Sequence, residues 1–213
     1  MTHRLRSSIL PLQQLQGPCR PMDIRVDFYL NDLDEIISVG QEWDDFALKN
    51  GAPELAGGGV IGRPLLDFVS GNVTRHFVET LLLTARAGSQ PVELDYRCDS
   101  PDERRYMHMR VSLADNNTVC FSNTLLRTEL RSKKIFINKA AQRSRNTPVR
   151  CSMCNLLLSK SQWIEPEHIF ESGPGETHGI FVIYGICSRC FTELQSIVAP
   201  AGVPDSVNPA LPC

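Results

Sequence analysis

Two short knuckles, Cys151-Ser-Met-Cys154 and Cys187-Ser-Arg-Cys190, lie thirty-two residues apart and constrain this chain more than any other feature. Each Cys-x-x-Cys turn curls its backbone so that both sulfurs face one point. Two such turns can therefore close a tetrahedron of four thiolates around Zn²⁺. The knuckles use four of the eight cysteines, while Cys19, Cys98, Cys120 and Cys213 have no paired spacing. A structural Zn²⁺ on Cys151, Cys154, Cys187 and Cys190 is the expected cofactor. Two disulfides, a redox-active dithiol and unligated thiols are the competing readings of the same residues. Four thiolates leave no open position for water, which argues against a catalytic metal. His178 and, more weakly, His168 are candidate substitute ligands.

The flanks say what kind of module this is. Leu156-Leu-Leu158, a polar turn over Ser159–Gln162 and Trp163-Ile164 predict a hairpin after the first knuckle. Ile180-Phe-Val-Ile-Tyr184 predicts a strand before the second, and Phe191, Leu194 and Val198 give helical spacing after it. One knuckle at a hairpin and the other at a helix start resembles a treble-clef zinc finger, in which the helix N-terminus also favours the thiolates. A module of this size buries little core, so the metal is expected to hold it together.

The formal charge of −2 gives no whole-chain electrostatic case for nucleic acid or membrane. No segment approaches the roughly eighteen uninterrupted apolar residues of a membrane helix, and residues 1–22 lack the pattern of a signal peptide. The expectations are a flexible leader over 1–22, with Met22 as an alternative start, a cytoplasmic setting that keeps thiols reduced, and a disordered proline-bearing tail over 199–213.

Upstream, Ile24, Val26, Phe28 and Leu30 alternate with Arg25, Asp27 and Tyr29, which predicts a strand with one buried face. A turn at Asn31–Asp34 and a second strand over Glu35–Val39 complete a hairpin. A helix over Gln41–Asn50 carries Trp43, Phe46 and Ala47 on one face and stops at Gly51. Short helical turns are expected at Pro53–Leu55 and Leu65–Val69. The Gly57–Gly62 run lacks the Lys-Ser/Thr of a phosphate loop and reads as a connector. Asn72 is expected to cap a long helix to about Ala87, with Phe77, Val78, Leu81, Leu82 and Ala85 as its apolar stripe. Three strand patterns follow, around Val92–Cys98, Met107–Leu113 and Val119–Leu125. The layer rules then give an α+β domain, a five-stranded antiparallel sheet with helices on one face.

Ile36-Ile-Ser-Val-Gly-Gln-Glu-Trp43-Asp-Asp-Phe46, Asn50-Gly51, Val60-Ile-Gly-Arg-Pro-Leu-Leu-Asp-Phe68 and the closing meander make residues 24–130 resemble a PAS domain. The cysteine module is similar to one found after PAS or receiver domains in bacterial signalling proteins, although Phe181–Tyr184 splits the expected His-Gly-Ile-Cys run. The resemblance implies sensing or protein interaction without turnover, a homodimer through the PAS-like domain, and a small-molecule pocket between sheet and helices. Trp43, Phe46, Phe68, Phe77, Leu81, Tyr96, Met109 and Phe121 are the candidate lining residues, with ordinary core packing as the competing reading. It also puts His76 on the helix where a haem-binding member places its axial ligand. The Asn-Cys-Arg-Phe-Leu motif of a flavin photosensor is missing.

The expected organisation is a leader (1–22), a PAS-like sensor domain (23–131), a basic linker (132–149), a four-cysteine zinc module (150–198) and a tail (199–213). Nothing resembles a catalytic motif, so the chain is expected to be no enzyme but a signalling protein that binds a protein partner. A nucleic-acid-binding regulator is the alternative, using Arg131, Lys133, Lys134, Lys139, Arg143, Arg145 and Arg150 with the zinc finger. A Cys-x-x-Cys thiol redox protein is the second alternative.

Overall fold

A computed structural model describes residues 24–88, 90–170 and 177–198. The leader and tail expectations, with Cys19 and Cys213, lie outside the described residues.

The hairpin β1 (Arg25–Leu30) and β2 (Ile36–Val39) is followed by α1 (Trp43–Lys49), 3-10 turns at Pro53–Leu55 and Leu65–Phe68, and α2 (Asn72–Ala87). The meander β3 (Val92–Arg97), β4 (Glu103–Leu113) and β5 (Val119–Leu130) closes an antiparallel sheet in the order β2-β1-β5-β4-β3. Register puts apolar residues in rows on one face. Phe28 pairs with Phe121, which pairs with Val111, which pairs with Val92. The rings of Phe28 and Phe121 stack at 4.6 Å, and Trp43 meets Phe28 edge-on at 5.8 Å. Leu81, Leu82 and Ala85 of α2 are buried against this core. The opposite face is charged, with Arg110 on Glu93 at 2.6 Å and His108 on Asp95 at 2.7 Å.

Asn72 does not cap α2. It is the first helical residue, Gly71 stands at the N-cap position, and no side chain caps the helix. The reason is a chain crossing: at φ +89° Gly71 lies so close to the strand Thr177–Gly185 that an added Cβ would come within 2.6 Å of the Tyr184 carbonyl oxygen. Only glycine combines that dihedral with that approach.

A second five-stranded sheet has the order β6-β10-β7-β8-β9. Its strands are β6 (Lys134–Lys139), β7 (Val149–Cys151), β8 (Leu157–Ser159), β9 (Gln162–Ile164) and β10 (Thr177–Gly185), and α3 (Ser188–Val198) follows. β10 pairs in parallel with both β6 and β7. The stretch expected as a basic linker over 132–149 therefore supplies an edge strand. Ile135, the second residue of that strand, is 2% exposed, and this buried anchor outweighs the surrounding lysines.

The two sheets share one core, in which Met153, Cys187, Cys190 and Leu194 join Leu81 and Leu94. A buried ion network crosses the same boundary. Arg97 donates to Glu165 at 2.7 Å and to Asp99 at 2.6 Å, and Arg131 donates to Asp99 at 2.5 Å and to Glu167 at 2.8 Å. Arg104 also reaches Glu167 at 2.9 Å. Burial works against the Arg97 charge, but its bonds to Glu165 and Asp99 more than reverse this and hold the guanidinium above its ordinary range. No described helix is long and apolar enough to cross a membrane.

Gly71→Ala should lower the unfolding free energy by more than about 1 kcal/mol in urea denaturation. Glu167→Ala strips a partner from two arginines, one of them with a side chain only 2% exposed, and should cost about 3–5 kcal/mol. Glu93→Ala, in an exposed pair, should cost less than about 1 kcal/mol.

Candidate metal centre

The first knuckle is a tight turn in which Cys151 N–H donates to Leu156 O at 2.9 Å and Asn155 N–H donates to Cys151 O at 3.0 Å. Asn155 closes it at φ +61°, a left-handed conformation that asparagine tolerates better than most residues. The second knuckle runs from the end of β10 into α3, where Phe191 N–H donates to Cys187 O at 2.8 Å. Cys190 sits in the first turn of that helix, where the dipole favours a thiolate.

The four sulfurs of Cys151, Cys154, Cys187 and Cys190 lie within 4.8 Å of one another, and Cys154 and Cys187 are 3.8 Å apart across the knuckles. A tetrahedron with metal–sulfur bonds of about 2.3 Å has edges of about 3.8 Å. All four are free cysteines. Cys187 N–H points at Cys151 Sγ (3.4 Å) and Cys190 N–H at Cys187 Sγ (3.5 Å), so backbone dipoles already stabilise negative sulfur. Hydrogen bonds from Cys154 and Cys190 hold the Cys151 thiol far below its ordinary range. The same bond pushes Cys154 up to about 11, and Cys190 is raised first by its bond to Cys151. A divalent cation at the centre would stabilise all four thiolates and displace the protons that the sulfurs share. The cluster can hold a metal ion.

Among the described residues no histidine joins this group. His168 is exposed at the end of a 3-10 turn, Pro166–Ile169, and the His178 side chain lies outside what is described.

The pocket candidates divide. Phe68, Phe77, Leu81, Tyr96, Met109 and Phe121 line a cavity of about 430 Å³ between the first sheet and α2, together with Ser152, Met153 and Asn155 of the knuckle. Trp43 and Phe46 line instead a groove of about 810 Å³ between α1 and β6, which Tyr96 and Met109 also border. Burial pushes the Tyr96 phenol well above its ordinary range, and its hydroxyl donates to Asn123 at 2.9 Å. His76 lines neither space. Its side chain is 84% exposed and lies 3.8 Å from Glu79, so the candidate haem ligand points away from the sheet. A helix stripe in which Phe77, Leu81 and Ala85 turn inward leaves the preceding residue outside.

Ser152, Met153 and Asn155 escaped the sequence reading because the two residues inside a Cys-x-x-Cys turn carry no periodicity. The sequence signal for Asn155 is its residue type alone, since asparagine directly after a tight turn tolerates a left-handed conformation. A scan against protein-family models and a search of curated proteins found no match for the chain.

Full-chain protein should bind one divalent ion. Thiol titration after chelation should then expose four cysteines that the metal had protected, and any single Cys→Ser change in the cluster should abolish stoichiometric binding. Cobalt substitution should give the thiolate charge-transfer bands of a tetrahedral four-sulfur site.

Proposed function

We propose that this chain is a non-catalytic sensing or regulatory protein of a reducing, cytoplasmic setting. In this reading a PAS-like body holds a small ligand or dimerises, and a zinc-stabilised treble-clef-like module passes its state to a protein partner. The five-stranded antiparallel sheet with helices between hairpin and meander supports the PAS-like part. Zn²⁺ is the metal best suited to four closed thiolates, since it has no redox chemistry and favours tetrahedral sulfur.

One observation carries the reading: the 430 Å³ cavity takes one wall from the metal knuckle. Met153 lies between two metal-binding sulfurs, is 8% exposed, and faces the same space as Phe68, Phe77 and Phe121. Filling the cavity and holding the ion are then linked, because each biases the position of the same three residues. The basic stretch favours nucleic acid less than its composition suggests. Arg131 is buried on Asp99 and Glu167, and Lys133 donates to Phe170 O at 2.6 Å.

Native mass spectrometry of the full chain purified from its own host tests the reading. One zinc per chain, with a small molecule or a second copy, is expected, and chelation should release what the cavity holds. A metal-free monomer with an empty cavity would overturn it. Co-purifying nucleic acid lost at high salt would favour the nucleic-acid regulator, and a reversible knuckle disulfide without metal would favour the redox protein.

A further inference from the structure

The groove between α1 and β6 has an apolar wall, two exposed lysines at its margin, Lys49 and Lys134, and one part-buried arginine without an ion pair. Phe46, Ala47 and Met109 stand on one side and Ile137 on the other, while Arg150 of β7 reaches it from the second sheet. Arg150 Nε is shielded from solvent and has no hydrogen-bond partner. The other shielded, unpartnered nitrogens, on Arg86 and Arg104, belong to guanidiniums already paired with Asp34, Glu165 and Glu167. Arg150 forms no ion pair or side-chain hydrogen bond among the described residues.

The neighbours do not supply an anion. Burial pushes the Cys98 thiol up, so it stays neutral beside Arg150. Asp99 is taken by Arg97 and Arg131. Asp102 accepts from Ser100 at 2.9 Å, and that bond, with Lys134 nearby, holds it below the usual carboxylate range. An arginine that lines a roomy groove without a protein anion is matched by a ligand that brings its own acceptor to the terminal guanidinium nitrogens.

We propose that this groove binds a small amphipathic carboxylate, its headgroup on Arg150 and its apolar body against Phe46 and Met109. A volume of about 810 Å³ is within the range of small-molecule sites. The bidentate fork of arginine matches a carboxylate, and the apolar wall rejects ligands that are charged throughout. The inference does not depend on the sensor reading, since neither the metal nor the 430 Å³ cavity enters it.

Calorimetric titration of metal-loaded full chain with octanoate, octanol and octyltrimethylammonium tests it. Octanoate should bind about tenfold or more tighter than octanol, and the cation should not bind. Arg150→Gln should erase the preference by weakening octanoate while leaving octanol unchanged, and Arg150→Lys should retain part of it. Circular dichroism and metal content report whether each variant folds. If Arg150→Gln does not fold, the headgroup comparison on the unaltered chain and Arg150→Lys decide. Equal affinity for octanoate and octanol, no octanoate binding, or an Arg150→Gln protein that keeps the preference would overturn the proposal.

Discussion

The backbone of Arg97 gives its hydrogen to the carbonyl of Met153 at 2.7 Å, and its own carbonyl accepts from the Asn155 side chain at 3.0 Å. β3 is the last strand of its sheet, so without these bonds it would present unpaired amides and carbonyls at an open edge. The knuckle covers that edge, and α3 lies along it. Thr74 at the start of α2 adds a hydroxyl contact to Ser152 at 2.7 Å. The turn that gathers two of the sulfurs is therefore also the turn that finishes the first sheet.

Because one turn does both, the cost of bringing four sulfurs together is carried by more than the small module. Buried arginines and carboxylates cross the same boundary, and their desolvation is offset only where every charge finds partners, as Asp99 and Glu167 do with Arg97, Arg104 and Arg131. Such a network is intolerant of misplacement, and it fixes how the second sheet sits on the first. The cavity and the groove follow from that placement, since residues of both sheets line each of them.

The parts legible in the sequence are those governed by local repetition. The alternation of Val26, Phe28 and Leu30, the stripe of Leu81 and Ala85, and the paired knuckle cysteines each follow from a period or spacing that the chain carries by itself. What was not legible depends on residues distant in sequence. β6 looked like a linker because its pairing partner, β10, lies some forty residues on. In the sequence Arg131 reads as a free basic residue, but Asp99 and Glu167 enclose it, and Arg150 reads as one more charge of the basic stretch, but it lines the groove. His76 shows the opposite error: helix position was inferred correctly, but its direction is set by the stripe beside it.

If metal and sheet form one folding unit, hydrogen exchange with and without chelator is the most direct measurement. The amide of Arg97 and those of α3 should lose protection when the ion is removed, while the central amides of β4 and β5 stay slow. Loss confined to residues 150–198, with the Arg97 amide unchanged, would contradict the account.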